Sequence, residues 1–285
     1  MKIGFIGLGN MATAMIGGML EKGMVEPQNV IGSSKTRATA DKVKARFNIT
    51  TVLDNRTVAK EADILFLAVK PLFFPEIIQE IRDFVKADAL VVSIAAGKTL
   101  AYLREAFGRP ELKIIRCMPN TPALVSEGCT GVCAGEEVPS EDLEKVVALM
   151  ESFGKASVVP ERLMDVVVGV SGSSPAYVFM FIEAMADEAV AAGMPRKQAY
   201  EFAAQSVLGS AKMVLETGKH PGELKDMVCS PGGTTIEAVK VLEEKGMRAA
   251  VMDAMEACIE KSKSMSYRNS SAVATVRTSA SMMQL

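Results

Sequence analysis

From residue 2 to about residue 160, short runs of β-branched and aliphatic residues alternate with longer stretches in which apolar positions recur every three or four residues. Short, nearly continuous apolar runs fit strands buried on both faces, and the helical recurrence fits the helices that would cover them. The pattern predicts strands over residues 2–6, 29–33, 64–68, 89–93, 113–117, 130–134 and 157–159. Helices are predicted over 10–22, 36–46, 72–85, 99–107 and 140–153. Alternation of this kind is the mark of parallel strands joined by crossover helices.

Beyond Val159-Pro160 the β-branched runs stop, and Ala, Met, Glu and Lys dominate to about residue 266, which predicts an all-helical half. The division falls at residues 1–160 and 161–285. One helix should start at Ser174-Pro175, with Ser as N-cap and Pro at the first helical position, and stop at Gly193 ahead of Pro195. Its body, residues 176–192, is apolar on nearly every face apart from Glu183, Asp187 and Glu188. Such a helix is buried on most sides, either within its own domain or against a second subunit. The tail from Asn269 to Leu285 shows no periodic core pattern, so a loose segment is expected there.

Composition narrows the partners. A chain of 285 residues is long enough for two domains. Its 32 basic and 34 acidic residues give a net charge of -2, so no general positive field exists to hold nucleic acid or an anionic membrane. Five cysteines without a CxxC pair point to a reducing compartment, and a single histidine, His220, leaves no zinc-type ligand set. The opening MKIGFIGLGN is too broken by glycine for a signal peptide, and no uninterrupted apolar run approaches the ~18 residues of a membrane span. A soluble, cytoplasmic protein is expected.

Candidate chemistry begins at Gly7-Leu8-Gly9-Asn10-Met11-Ala12, between the first predicted strand and helix. In that setting Gly7 permits the tight turn, Gly9 lets backbone approach a pyrophosphate, and Ala12 keeps the helix close to the strand. The end of the second strand reads Ser33-Ser34-Lys35-Thr36-Arg37, without the acidic residue that would accept from a ribose hydroxyl. Hydroxyls and cations there suit a 2′-phosphate, favouring NADP(H) over NAD(H); the other reading makes Lys35 and Arg37 solvated first-turn residues. Ala68-Val69-Lys70-Pro71 and Ala95-Ala96-Gly97 end two further strands at the same rim, where small residues leave room for a flat nicotinamide. Lys70 is either an acid catalyst or an aliphatic wall with a solvated head. Met118-Pro119-Asn120-Thr121-Pro122 is a stiff loop over that rim, either part of a site or simply rigid. In the helical half, Ser230-Pro231-Gly232-Gly233-Thr234-Thr235-Ile236-Glu237 has capping-box spacing between Thr234 and Glu237, with two glycines exposing the helix start. That is either an anion site or a well-capped surface helix.

GFIGLGNMA, FLAVKP, SIAAG, MPNTP, SGSSPAY and SPGGTTIEAV, in this order and spacing, resemble the pyrroline-5-carboxylate reductase family over roughly residues 2–265. The resemblance implies a Rossmann-type doubly wound α/β sheet followed by an all-α dimerisation domain, with homodimers and in some members rings of dimers. It implies reduction of 1-pyrroline-5-carboxylate to L-proline by hydride from NAD(P)H, with the SPGGTT loop of one subunit completing its partner's site. Implied cofactor contacts fall on Gly7, Leu8, Gly9, Asn10, Met11, Ser33, Asn55, Ala68, Val69, Lys70 and Ala96, to which Ser34, Arg37 and Pro71 are added as neighbours. Implied substrate contacts fall on Gly232, Gly233, Thr234, Thr235 and Glu161. Met227 stands where some relatives carry Asn, and Ser174 where others carry Gly.

A protonated cyclic imine is already electrophilic, so a chain with one histidine and no obvious acidic dyad suits it better than an alcohol, whose oxidation needs a general base. The amides of Gly233 to Thr235 are expected to hold the substrate carboxylate, and the Thr235 hydroxyl to bond the ring nitrogen or relay its proton. A β-hydroxyacid dehydrogenase would instead want a lysine on the helix at 176–193, which has none. An NADP-sensing module would not need the glycine-opened helix start. His220 is read as a loop residue.

Overall fold

The computed structural model describes the backbone of residues 1–282 and the side chains of residues 1–265. It separates into two compact units, Met1–Ser173 with Cys258–Leu285, and Ser174–Ala257. The boundary expected at residue 160 thus sits 13 residues short of where the first unit's main segment ends at Ser173.

In the first unit the strands are β1 (Ile3–Ile6), β2 (Val30–Ser33), β3 (Thr50–Val52), β4 (Ile64–Leu67), β5 (Leu90–Ser93), β6 (Lys113–Met118), β7 (Gly128–Ala134) and β8 (Gly154–Val158). The intervening helices are α1 (Asn10–Glu21), α2 (Arg37–Phe47), α3 (Asn55–Glu61), α4 (Phe74–Ile81), α5 (Leu100–Phe107) and α6 (Ser140–Glu151), with the short α7 (Met164–Val167) after β8. The sheet runs in the order β3-β2-β1-β4-β5-β6-β7-β8. Every neighbouring pair is parallel except β6 and β7, which are antiparallel. That pair departs from the all-parallel expectation for a plain reason. Nine residues separate Met118 from Gly128, too few for a crossover helix, so the chain must turn back.

Each face of the sheet carries its own core. Phe5, Met15, Ile16, Phe66 and Phe153 fill one, with the Phe5 and Phe66 rings stacked at 4.8 Å. Ile6, Leu65, Phe74, Leu103 and Phe107 fill the other. The runs that read as continuous apolar are buried on both sides, as in β4 with all four residues covered. α4 is shorter than predicted because Pro71 starts a separate 3₁₀ turn, Pro71–Phe73, before Pro75 sets the first turn of the helix proper.

The second unit contains α8 (Ser174–Ala191), α9 (Arg196–Thr217), α10 (Pro221–Val228), α11 (Thr234–Glu244) and the start of α12 (Met247–Met282). α8 begins at Ser174, which is its first helical residue and not the expected N-cap, so Pro175 stands at the second position. It packs on α9 through Ala186, Ala199 and Ala203, small residues that let the two helices approach closely. Much of the remaining apolar surface is open, including Phe179, Met180, Phe202 and Leu215. The tail expected to be loose continues α12 in helical form to Met282, and residues 283–285 and the tail's side chains lie outside the described residues.

Candidate active site

Gly7 follows β1 with φ +97, and a Cβ there would lie 2.8 Å from the Ala68 carbonyl oxygen, so only glycine fits. Its N–H donates to the Ser33 carbonyl at 3.0 Å, tying the turn to the end of β2. Gly9 is the N-cap of α1, and no side chain caps that end. A Cβ at Gly9 would meet nothing within 4 Å. The first turn of a 12-residue helix therefore faces open space at a glycine, a cradle that fits the pyrophosphate of a dinucleotide. Ala12 is buried against the sheet, as that motif requires. Leu8 is buried too, packed so closely on Gly32 that a Cβ there would lie 2.5 Å from Leu8 Cδ2, which leaves only its backbone for a ligand. Asn10 is exposed and Met11 half-buried.

At the tip of β2 the two serines are spent inside the fold. Ser33 is fully buried, and its Oγ donates to Asn55 Oδ1 at 2.7 Å. Ser34 Oγ donates to the Thr36 carbonyl at 2.8 Å, and Thr36 caps α2 by accepting from the Thr39 amide. Lys35 and Arg37 stand exposed beside them. Asn55, the first residue of α3, donates from Nδ2 to Glu80 Oε2 at 2.8 Å. Glu80 lies on α4 and no sequence motif marks it.

Strand order reverses direction between β1 and β4, and ligands of open α/β sheets lie outside the carboxyl ends of strands at such a point. Gly7 follows β1 there, and Ala68, Val69, Lys70 and Pro71 follow β4. Lys70 is exposed. Ala96 is half-buried at the turn after β5. Two residues on, Lys98 is only 2% exposed, with its Nζ 4.2 Å from the centre of the Tyr102 ring, and burial pushes its amine down to about 8. Asn120 anchors the proline-flanked loop. Its Nδ2 donates to the Ser171 carbonyl at 2.9 Å and its Oδ1 accepts from the Cys129 amide at 2.8 Å, pinning the loop to β7.

Glu161 is engaged within the first unit. Its Oε1 accepts from the Leu100 amide at 2.7 Å and pairs with Arg116 Nη1 at 2.5 Å. Arg116 is buried on β6, and its Nε has no partner among the described residues.

In the second unit the predicted capping box is not formed. Gly233, not Thr234, is the N-cap of α11, no side chain caps it, and Thr234 has entered the helix. Gly232 has φ +70, which swings the chain into the helix. The Gly233 N–H is already spent on the Ser230 carbonyl at 3.0 Å. The open amides are consequently those of Thr234, Thr235 and Ile236, a set that starts one residue later than expected. Thr235 is half-buried and Met227 exposed. His220 lies in the loop ahead of α10, as read, and caps that helix, its Nδ1 accepting from the Gly222 amide at 3.0 Å.

Residues 161–265 match the family model described as pyrroline-5-carboxylate reductase dimerisation. Residues 2–97 match that of NADP oxidoreductase, coenzyme F420-dependent. The pyrroline-5-carboxylate reductase of Escherichia coli (strain K12) is 57% identical over 268 residues, covering 93% of this chain and 98% of that protein. That of Methanosarcina acetivorans is 45% identical over 264 residues, covering 93% and 97%. Among solved structures, a pyrroline-5-carboxylate reductase from Coxiella burnetii matches with a TM-score of 0.85 at 34% identity, and the pyrroline carboxylate reductase of Plasmodium falciparum, solved with NADP bound, with 0.84 at 33%. Both cover 93% of this chain and 98% of theirs.

Proposed function

We infer the reaction from one premise: this chain belongs to the pyrroline-5-carboxylate reductase family. It reduces the C=N bond of 1-pyrroline-5-carboxylate to give L-proline, the closing step of proline biosynthesis. Bound NADPH supplies the hydride. The backbone of Gly7, Leu8, Gly9, Asn10 and Met11 holds its pyrophosphate, and exposed Arg37, with Lys35, meets a 2′-phosphate. Ser33, Ser34 and Asn55 shape the adenosine end, while Ala68, Val69, Lys70, Pro71 and Ala96 wall the nicotinamide end.

The observation that carries the substrate reading is the second glycine-opened helix start. α1 and α11 both begin at a glycine with no side-chain cap, one suited to a dinucleotide and the other to a carboxylate. Gly232 and Gly233 give access, and the amides of Thr234 and Thr235 take the carboxylate. The Thr235 hydroxyl bonds the ring nitrogen or delivers its proton. The hydride adds to carbon, the C=N pair moves onto the protonated nitrogen, and the amine of proline results. Glu161, the other implied substrate contact, fixes β6 and α5 within the first unit through Arg116 and the Leu100 amide.

The chain works as a homodimer, with residues 1–160 for the cofactor and 161–285 for substrate and dimerisation, and the α11 tip of one subunit completing its partner's site. Rings of dimers build on this unit. Within Glu161–Ala191 an 18-residue window is apolar enough to cross a membrane by length and composition, and 11% of it is buried. The open face of that run is assigned to the second subunit, not to lipid, in a cytoplasmic protein with no nucleic-acid partner. The test is loss of NADPH absorbance when 1-pyrroline-5-carboxylate is added, with proline recovered in equal amount. No oxidation above the substrate-free rate would remove the reading.

A further inference from the structure

We propose that Glu80 is a positioning residue for the cofactor: from α4, its carboxylate fixes the Asn55 amide in the orientation used at the adenosine end of the site. This rests on the reading that the chain binds NADP(H).

The argument starts from place. In a doubly wound sheet the ribose lies at the tip of the second strand. Here that tip is Ser33, whose carbonyl receives the Gly7 N–H, so it is joined directly to the pyrophosphate turn. Ser33 itself is fully buried and reaches outward only through Asn55, which is partly exposed. Three elements, β2, α3 and α4, are thereby linked at their polar ends by two hydrogen bonds of 2.7 and 2.8 Å.

Direction along the chain follows from the chemistry of the end group. The two ends of an asparagine amide have nearly the same shape, and only its partners decide which end is nitrogen. A serine hydroxyl can donate or accept and so decides nothing. An ionised carboxylate can only accept. Glu80 therefore forces Nδ2 towards itself, Oδ1 towards Ser33, and the Ser33 proton onto Asn55. What remains of Asn55 for a ligand is one N–H and one carbonyl lone pair, held in fixed directions. The bond to Glu80 is charge-assisted, the stronger class. Arg56 Nε, 4.0 Å from Glu80 Oε1, faces the other carboxylate oxygen. Without an acceptor at position 80 the amide can turn over, and a ligand must then restore its orientation on binding.

The test is calorimetric binding of 2′,5′-ADP and of NADP+, with steady-state kinetics beside it. E80A should weaken both ligands about 5–20-fold, near the low end for one charge-assisted hydrogen bond because the loss reaches the ligand only through Asn55. The loss should fall on KM for NADPH, with kcat the smaller change and KM for the imine unmoved. E80Q, whose amide can accept from Asn55 or donate to it and so no longer fixes its direction, should share most of the E80A defect. E80A combined with N55A should bind no more weakly than N55A alone, because the two residues act as one unit. If E80A is too unstable to purify, E80M keeps the bulk of the side chain without the acceptor and gives the same reading. Wild-type affinity in E80A, E80M or E80Q, or full additivity with N55A, would each overturn the proposal. A wild-type protein that binds neither ligand would remove the cofactor reading itself.

Discussion

Phe5, Phe66, Phe74 and Phe153 in the first unit are at most 1% exposed, whereas Phe179 and Phe202 in the second are 61% and 62% exposed. The same residue type meets opposite fates because the two units solve burial differently. A sheet with helices on both faces closes its own core. The helical unit brings α8 and α9 together through three alanines, with Ile182, Val190 and Met194 partly buried against them, and leaves many of its large side chains exposed. At roughly 1.5–3 kcal/mol for each large apolar side chain withdrawn from water, covering several such residues is enough to drive association. The difference predicts that the second unit completes its core against another copy, so that its stability, unlike the first unit's, should depend on protomer concentration.

The sharpest way to break this contrast is to charge the open face. F179D combined with F202D should convert the assembly to monomers by analytical ultracentrifugation and, on the proposal that the α11 tip of one subunit completes its partner's site, reduce reductase activity by on the order of 100-fold or more. F66A in the first unit should lower unfolding free energy by about 3–5 kcal/mol while leaving the mass of the assembly intact below its melting temperature. An unchanged mass for the doubly charged variant would mean that the exposed phenylalanines are not interface.

The two glycines of the first unit separate folding from binding. G7A meets the Ala68 carbonyl at 2.8 Å with φ +97, so it should damage the fold itself. G9A has open space around its Cβ, so it should melt within about 2 °C of wild type yet bind NADP+ roughly 100-fold more weakly, because the methyl group takes the room that backbone needs to approach pyrophosphate. Tight NADP+ binding by G9A would dispose of the cradle. In the second unit, T235A should cost about 10–100-fold in kcat/KM for the imine, and T235S, which restores a hydroxyl, should recover most of it. Full activity in T235A would leave the hydroxyl without a role.

How much of this was legible in the chain depends on length of signal. The glycine turn and most sheet strands read directly, and the helix start at Ser174 to within one residue, because each combines a periodic run with a turn or stop signal. β3 and α3 were missed: Thr50–Val52 is a three-residue edge strand, and Asn55–Glu61 has fewer than two full turns to show a period. Asp54, which caps α3 through the Arg56 and Thr57 amides, was the available clue. The capping-box spacing at Thr234 and Glu237 misled by one residue, since glycine at the N-cap leaves the following threonine inside the helix. Glu80 and Lys98 could not have been found, because their meaning lies in contacts that only the folded chain makes.

Lys98 gives the smallest effect and a separate check on how dry the first unit is. Its amine, held down at about 8 by burial, is ordinarily near 10.5 when the chain is unfolded. Below pH 8 both states are charged, and folding must bury the cation. Between 8 and 10.5 the unfolded chain holds the extra proton, so stability rises with pH across that window and levels off above it. K98M keeps the bulk of the side chain against Tyr102 and removes the titration. Its melting temperature relative to wild type should therefore be highest below pH 8 and fall by on the order of 5 °C on approaching pH 10.5. Burial also pushes the Cys133 thiol up to about 11, which weakens the fold above pH 9, but that slope is common to both proteins and drops out of the difference. Parallel curves for the two proteins would mean that water reaches the Lys98 amine, and that this side of the sheet unit is less closed than its phenylalanines suggest.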